Sequence, residues 1–584
     1  MSWFQYLKQH LSNLGSSRLT KPSVFEYAQL VLGILVFYLL LVFPPAPFTN
    51  KIVVDPNNRI VFLCLAVFCI LLFSKTGSAW KIIQASLLFA LFAMTLIYKW
   101  QSAHYDGFMI GGMLPWSDSA AYNWEAHRLV NGNLLSTWGG RRPLFSGLLA
   151  VLFQLTGDFM LTLSILTLFN ALAVFFVVRI VNKLYGSVAA GTFLALSLVF
   201  YFRFSGVTAS EQLGFAAGNL ALYFLLIGVD TRNLKMALFG LGLLTLALNA
   251  RAGAFFILPV LIVWLASSFR QTIAFWRSAG LAVLVVSMVF VLNLVLVRII
   301  ADPTSTSFSN YSYTLYGLAS GNKGWNQVIK DYPDVTESEV MPLAIEKIRT
   351  APSLIVKGTF RALGDYFRID YGAFSFIYRG VFKQRVNLIL WGLVALGLAY
   401  SLSRWKEGFH GFILASFLGV IFSVPLLPPI DSDKMRVYAA TIPFSVLWIA
   451  TGVSALFNWR RTMIVRTENQ AETETELLVQ HALLISILFL GLILSALFLR
   501  HNFLPGSPRQ SSTPVCISGE EVIKGMKFRN TSIFIVEDGA IPESYAPFIR
   551  QADFQRAIGK APPLYPFLND ELFRLTSGDG VSVG

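Results

Sequence analysis

Asp118 lies in Trp116-Ser117-Asp118-Ser119-Ala120-Ala121-Tyr122, just past a long apolar run. A carboxylate held there, at a membrane surface, could take the proton from a hydroxyl that attacks a sugar carbon; its plainer role is to cap a helix over Ser119 to Val130. Glu211, in Gly206-Val207-Thr208-Ala209-Ser210-Glu211-Gln212, stands at the end of an otherwise apolar span without a local partner. A carboxylate so placed pairs with a polar substrate or with a cation, and Arg203, one loop earlier, is the obvious ion-pair partner. Arg251, in Asn249-Ala250-Arg251-Ala252-Gly253, suits a phosphate gripped bidentately, or else snorkels to lipid headgroups. In Asp431-Ser432-Asp433-Lys434-Met435-Arg436-Val437-Tyr438, Lys434 and Arg436 could hold a phosphate at the bilayer surface while an apolar groove takes an attached lipid. Alternatively the four charged residues of that loop satisfy one another. Glu125 and His127, on the helix that Asp118 begins, read as a solvated face.

These groups are islands in an apolar chain. Of 584 residues, 55% are hydrophobic, 14% aromatic and only 13% charged, against about 25% charged in an ordinary soluble domain. Cores saturate at a couple of hundred residues and cannot hide this much apolar sequence. Soluble enzyme, fibrous protein and disordered scaffold are excluded, and short alternating strands of a barrel are absent. The pattern predicts an all-α polytopic membrane protein of about 13 spans, near 25–43, 60–74, 82–98, 159–178, 187–204, 209–228, 234–249, 253–268, 279–300, 386–403, 410–427, 436–457 and 480–499. The net charge of +14 is gathered in short loops between those runs, which is the positive-inside signature and not a nucleic-acid surface. Three cysteines, Cys64 and Cys69 in one apolar run and Cys516 far away, give no disulfide or metal framework. The first run, Phe25 to Phe43, lacks a cleavage site and reads as a retained span.

The stretch Pro143 to Leu155 decides topology. As a surface or re-entrant helix, it leaves Arg179 and Lys183, Arg232 and Lys235, Arg270 and Arg277, Arg404 and Lys406, and Arg460, Arg461 and Arg466 in the cytoplasm. As a span, it would put those basic loops outside, against the charge bias. The first alternative is adopted, with a cytoplasmic N-terminus. Segments 99–158, 301–385 and 500–584 are then external. Pro342 to Phe367 has the alternation of helices lying on a surface, divided at Pro352. Residues 1–80 form an N-terminal segment with two added spans, 81–460 a membrane catalytic module, 461–499 a linker with an acidic run and a last span, and 500–584 a small α+β tail with a strand at Thr531 to Val536.

No GxxxxGKS loop or HExxH is present, so energy has to arrive with the substrate. A sugar joined to a phosphate supplies its own leaving group. The order Asp118, Tyr122, Ala126, Gly132, Arg142-Pro143-Leu144, then apolar helices and Glu211, resembles the GT-C superfamily of membrane glycosyltransferases. Within it, the branch of protein O-mannosyltransferases and the lipid A aminoarabinose transferase is most similar, over roughly residues 80–460. The resemblance implies transfer of a sugar from a polyprenyl-phosphate donor to a glycan, lipid or protein acceptor on the external face of a bacterial cytoplasmic membrane. It implies catalytic roles for Asp118 and Glu211, and substrate contacts for Tyr122, Arg142, Arg251, Lys434 and Arg436, with Arg436 foremost for the lipid phosphate. Asp118 is followed by Ser where a second acidic residue would complete a metal motif; no cofactor is required, although a divalent metal has room. A lipid-linked sugar flippase, and a polymerase or ligase of lipid-linked glycans, are the competing readings; inverted repeats, which a transporter would show, are not evident.

Overall fold

The computed structural model describes residues 24–43, 78–101, 108–110, 114–115, 117–370, 372–377, 383–432 and 434–458, with strands at 515–516, 522–528 and 531–535. The expected spans 60–74 and 480–499, with Cys64 and Cys69, lie outside the described residues, as does the acidic run 468–476.

Each of the other expected spans coincides with a helix: α1 (Val24–Val42), α2 (Ser78–Gln101), α6 (Phe159–Tyr185), α7 (Ser187–Phe202), α8 (Glu211–Asp230), α9 (Leu234–Ala250), α10 (Ile257–Ser268), α11 (Phe275–Ile300), α16 (Lys383–Ser403), α17 (Gly408–Ser423) and α18 (Ile442–Asn458). Among the described residues, six helices are long and apolar enough to cross a membrane, and further apolar helices are shorter. The chain is a helical, multi-pass membrane protein. Helices α6 and α8 are buried almost throughout, and α8 packs on α6 and α9. Helix α11 turns most of its apolar surface outward, which in a bilayer means toward lipid. One correction concerns the last described span: residues 436–441 are not part of it. They form a 3-10 turn, Arg436–Tyr438, and a bend, and the helix begins only at Ile442.

Two short connections orient the elements between α2 and α6. A two-stranded antiparallel hairpin, β1 (Met109–Ile110) with β2 (Leu114–Pro115), precedes helix α3 (Asp118–Val130). After it come a single turn, α4 (Thr137–Gly140), and α5 (Pro143–Thr156). Pro143 opens α5 at a position where its missing N–H costs nothing. Gly157, in the left-handed region at φ 57°, ends it, and Asp158 immediately caps α6 by accepting a 2.7 Å hydrogen bond from the Leu161 N–H.

The loop after α3 is pinned to the segment that follows α11. Leu135 forms a parallel bridge to Ala301, donating to the Ile300 carbonyl at 2.8 Å and accepting from the Asp302 N–H at 2.9 Å. Between α11 and α16 lie α12 (Tyr311–Ala319), α13 (Gln327–Asp331), α14 (Glu337–Thr350) and α15 (Pro352–Phe367). Pro352 divides the last two as expected, but α14 starts earlier than Pro342, at a capping box of Thr336 and Glu339. In the tail, β3 (Val515–Cys516), β4 (Val522–Phe528) and β5 (Thr531–Ile535) form an antiparallel sheet in that order, with Gly525 opposite Phe534.

Candidate functional site

Arg436 is the hub. Its Nε donates to Glu211 Oε1 at 2.5 Å and its Nη2 to Asp118 Oδ2 at 2.6 Å, joining residues that are hundreds of positions apart in the chain. Arg251 Nη2 reaches the same Glu211 oxygen at 3.2 Å. The Tyr122 hydroxyl donates to Ser210 Oγ at 3.0 Å and accepts from Arg142 Nη1 at 3.2 Å. Of the residues expected at the site, Asp118, Tyr122, Arg142, Glu211, Arg251 and Arg436 therefore form one connected junction. Lys434 does not join it: it makes no ion pair among the described residues.

Local structure explains why these side chains meet. On α3, Asp118, Tyr122 and Glu125 follow one another by four and three residues and share a face. The first turn of α3 is locked to the loop ahead of α8: Ser119 Oγ and Thr208 Oγ1 are 2.6 Å apart, and the Thr208 N–H and hydroxyl bond to the Ser119 hydroxyl and carbonyl. Gln212 fixes that loop from below, donating to the Phe204 and Val207 carbonyls and accepting from Tyr201 and Asn170. Glu211, between these two anchors, is held at the N-terminal end of α8. Gly214 and Gly218 on the same helix leave space for close approach. A Cβ at Gly214 would lie 2.8 Å from the Arg251 Cβ, and one at Gly218 would lie 2.2 Å from the Ala440 carbonyl oxygen, in the turn that follows Arg436.

Backbone strain marks both sides of the ion pair. Ser117 (φ 54°) precedes Asp118, and Lys434 (φ 55°) and Met435 (φ 65°) precede Arg436, all in the left-handed region. Such residues cost on the order of 1–3 kcal/mol each and persist where the surroundings over-determine them.

Burial separates the two carboxylates. The Glu211 side chain is 0% exposed and that of Asp118 31%. Burial works against the charge on Arg436, but the Glu211 and Asp118 carboxylates outweigh it and hold the guanidinium above its ordinary pKa. Three guanidiniums against two carboxylates leave an excess of one positive charge. Moreover, Arg142 Nε, Arg251 Nε and Glu211 Oε2 are buried without a hydrogen-bond partner among the described residues. The two unpaired guanidinium N–H donors cost free energy and suit an anion with several oxygens, whereas Glu211 Oε2 is an acceptor that only a further donor satisfies.

Several expectations are corrected. Arg203 is not the partner of Glu211; its guanidinium lies over the rings of Phe108 and Phe204, at 5.6 Å from each centroid. The Asp118 carboxylate turns to Arg436 instead of capping α3, whose cap position is held by Ser117. Asp433 lies outside the described residues; of the rest of that loop, Arg436 pairs outside it with Glu211 and Asp118, and Asp431 Oδ1 accepts from the Trp325 N–H at 2.8 Å. Burial raises the Asp431 carboxyl to about 6. Glu125 is not solvated but buried, accepting from the Ser136 N–H at 2.9 Å and from the Ser136 hydroxyl. Its pKa is raised by burial, against the lowering effect of those bonds. Its spacing on the Asp118–Tyr122 face was the signal that could have found it. His127 stacks on Phe153 at 4.8 Å.

Among the described residues no group of three or more His, Cys, Asp or Glu side chains is placed to hold a metal ion. The two carboxylates present are both committed to Arg436. That donor set does not suit a divalent cation, and no step is derived through one.

No protein-family model matches the chain, and no curated protein does. Among solved structures it is similar to the archaeal oligosaccharyltransferase AglB from Archaeoglobus fulgidus, in complex with an inhibitory peptide and a dolichol-phosphate. The identity is 13% and the TM-score 0.36, over 73% of this chain and 57% of that one. The chain thus spans a little over half the length of that protein, and a likeness this faint carries neither fold nor activity across.

Proposed function

We propose that the chain transfers a sugar from a polyprenyl-phosphate donor to an acceptor hydroxyl at the external face of a bacterial cytoplasmic membrane, as a GT-C-type glycosyltransferase. The observation that carries this reading is the junction itself: an excess positive charge with orphaned guanidinium donors, beside a carboxylate that is still open to solvent, at the ends of apolar helices. A sugar phosphodiester brings one negative charge. As the bond from the anomeric carbon to the phosphate oxygen breaks, the electron pair stays on the leaving lipid phosphate, whose charge grows toward two. Arg142, Arg251 and Arg436 lie where that growth is stabilised, commonly the largest catalytic contribution. The acceptor oxygen attacks the anomeric carbon from the opposite side and its proton passes to Asp118. A phosphate oxygen competing for Arg436 Nη2 frees Asp118 for that role. Glu211, fully buried, acts as the fixed counter-ion that makes two converging arginines tolerable.

The same contacts support the topology inferred from charge. Asp118, Glu211, Arg251 and Arg436 can touch only if they share one face, as they do when 143–155 is not a full span. The reading keeps an N-terminus in the cytoplasm, an external tail, about 13 spans, and a catalytic module over 81–460. Replacing Asp118 by Asn should keep the protein folded and lower turnover about 100-fold or more. The assay is release of undecaprenyl phosphate from its labelled sugar conjugate in proteoliposomes supplied with envelope acceptors. Near-wild-type transfer by the Asn variant would remove Asp118 from the chemistry, and movement of the label across the membrane without new glycosidic bonds would favour a flippase.

A further inference from the structure

Arg436 is held on two edges by carboxylates, and it is also held on its face. The Phe108 ring centroid lies 4.7 Å from the Arg436 guanidinium carbon, and the Arg203 guanidinium shares that ring at 5.6 Å. Phe108 itself is immobilised. It is 6% exposed and belongs to an apolar cluster with Met109, Val207 and Ala209, against which Phe159 packs. Ser119 Oγ donates to Met109 Sδ at 3.5 Å, tying this cluster to the turn that carries Asp118.

We propose that Phe108 is a positioning residue that sets the plane of the Arg436 guanidinium. With Nε on Glu211, Nη2 on Asp118 and the face on Phe108, Nη1 is the donor left for a ligand among the described residues. An aromatic ring suits this place because it attracts the cation through its quadrupole while offering no oxygen to compete for that donor. A Leu would fill the volume but leave the plane free to tilt, and an Asn or Asp would take up the donor. The inference rests on the reading that Arg436 receives the lipid phosphate, and it adds the group that aims it.

Progressive ring fluorination tests it, because mono-, di- and trifluoro-phenylalanine weaken the quadrupole with little change of size. The series is introduced at position 108 in the full chain, in an Arg203→Gln background so that Arg436 is the cation read. Binding of undecaprenyl phosphate in nanodiscs and the melting midpoint without lipid are both measured. Affinity should fall stepwise, by roughly threefold to thirtyfold at the trifluoro form. Phe108→Leu should match that loss and Phe108→Trp should restore binding to within about twofold of wild type. Equal affinities across the series overturn the proposal, and so does a falling midpoint with unchanged affinity, which would make the ring a structural support only. If the unsubstituted protein binds no undecaprenyl phosphate, the lipid-phosphate reading fails, and this proposal, which rests on it, is overturned with it; binding by the unsubstituted protein that is flat across the series overturns the proposal alone.

Discussion

Exchanging Glu211 for Gln removes one negative charge, with little change of shape, from a junction that already carries an excess positive charge. Two effects of opposite sign follow. In the empty protein Arg436 and Arg251, 11% and 4% exposed at the side chain, lose the carboxylate between them, and breaking a buried pair costs about 3–5 kcal/mol. For the bound anion the same change is favourable. A phosphate roughly 5 Å from the Glu211 carboxylate is relieved of about 3 kcal/mol of repulsion at an effective dielectric near 20, on the order of 100-fold in affinity. Thermal melting in nanodiscs, with undecaprenyl phosphate titrated in, reads both. The Glu211→Gln variant should melt lower than wild type when empty and be raised further by saturating lipid. Should the variant fail to fold, Asp118→Asn makes the same charge change at a position 31% exposed, where solvent screening reduces the expected gain to about 10-fold. Weaker lipid binding in these variants than in wild type would refute the idea that charge excess defines the site.

Tyr122→Phe deletes the hydroxyl that joins Arg142 to Ser210; at about 1 kcal/mol per bond the KM for the lipid donor should rise roughly 5-fold to 30-fold, with kcat little changed. Asp431 titrates in reverse of a salt-bridged carboxylate. Its carboxyl is raised to about 6 in the fold by burial, so its contribution to stability is full below the ordinary carboxylate range and is lost as the pH climbs through 6. Asp431→Asn should therefore be more stable than wild type at pH 8, by about 3 kcal/mol, and nearly equal to it at pH 3. If the tail is external, a membrane-impermeant thiol reagent should label Cys516 in intact spheroplasts; labelling only after permeabilisation would reverse the orientation.

The site was legible in the sequence where chemistry conflicts with its surroundings. Asp118, Glu211, Arg251 and Arg436 stand out because charged residues at the ends of apolar runs are expensive, and the structure brings all of them into one junction. The partners were not legible. Arg203 lies eight positions from Glu211 and looked the natural counter-ion, yet Arg436, on the far side of the nine helices α9 to α17, is the one that packs against α8 because Gly218 admits its turn. Residues that conflict with nothing escaped notice. Phe108 is one more aromatic in an aromatic-rich chain, and Ser119 and Thr208 are ordinary small polar residues until folding sets their hydroxyls 2.6 Å apart. The helix boundaries were readable from apolar length, whereas the 3-10 turn at Arg436 was not, since its apolar neighbours continue the pattern of the helix that follows.

Native mass spectrometry of the purified full-length protein addresses the central claim most directly, because it asks what the junction holds. The wild-type protein should retain a bound lipid with the mass of a polyprenyl phosphate or its sugar conjugate, and Arg251→Gln should lose it while remaining folded. Ordinary phospholipid alone on the wild type, or equal retention of the polyprenyl species by both proteins, would contradict a lipid-phosphate site at Arg251 and Arg436.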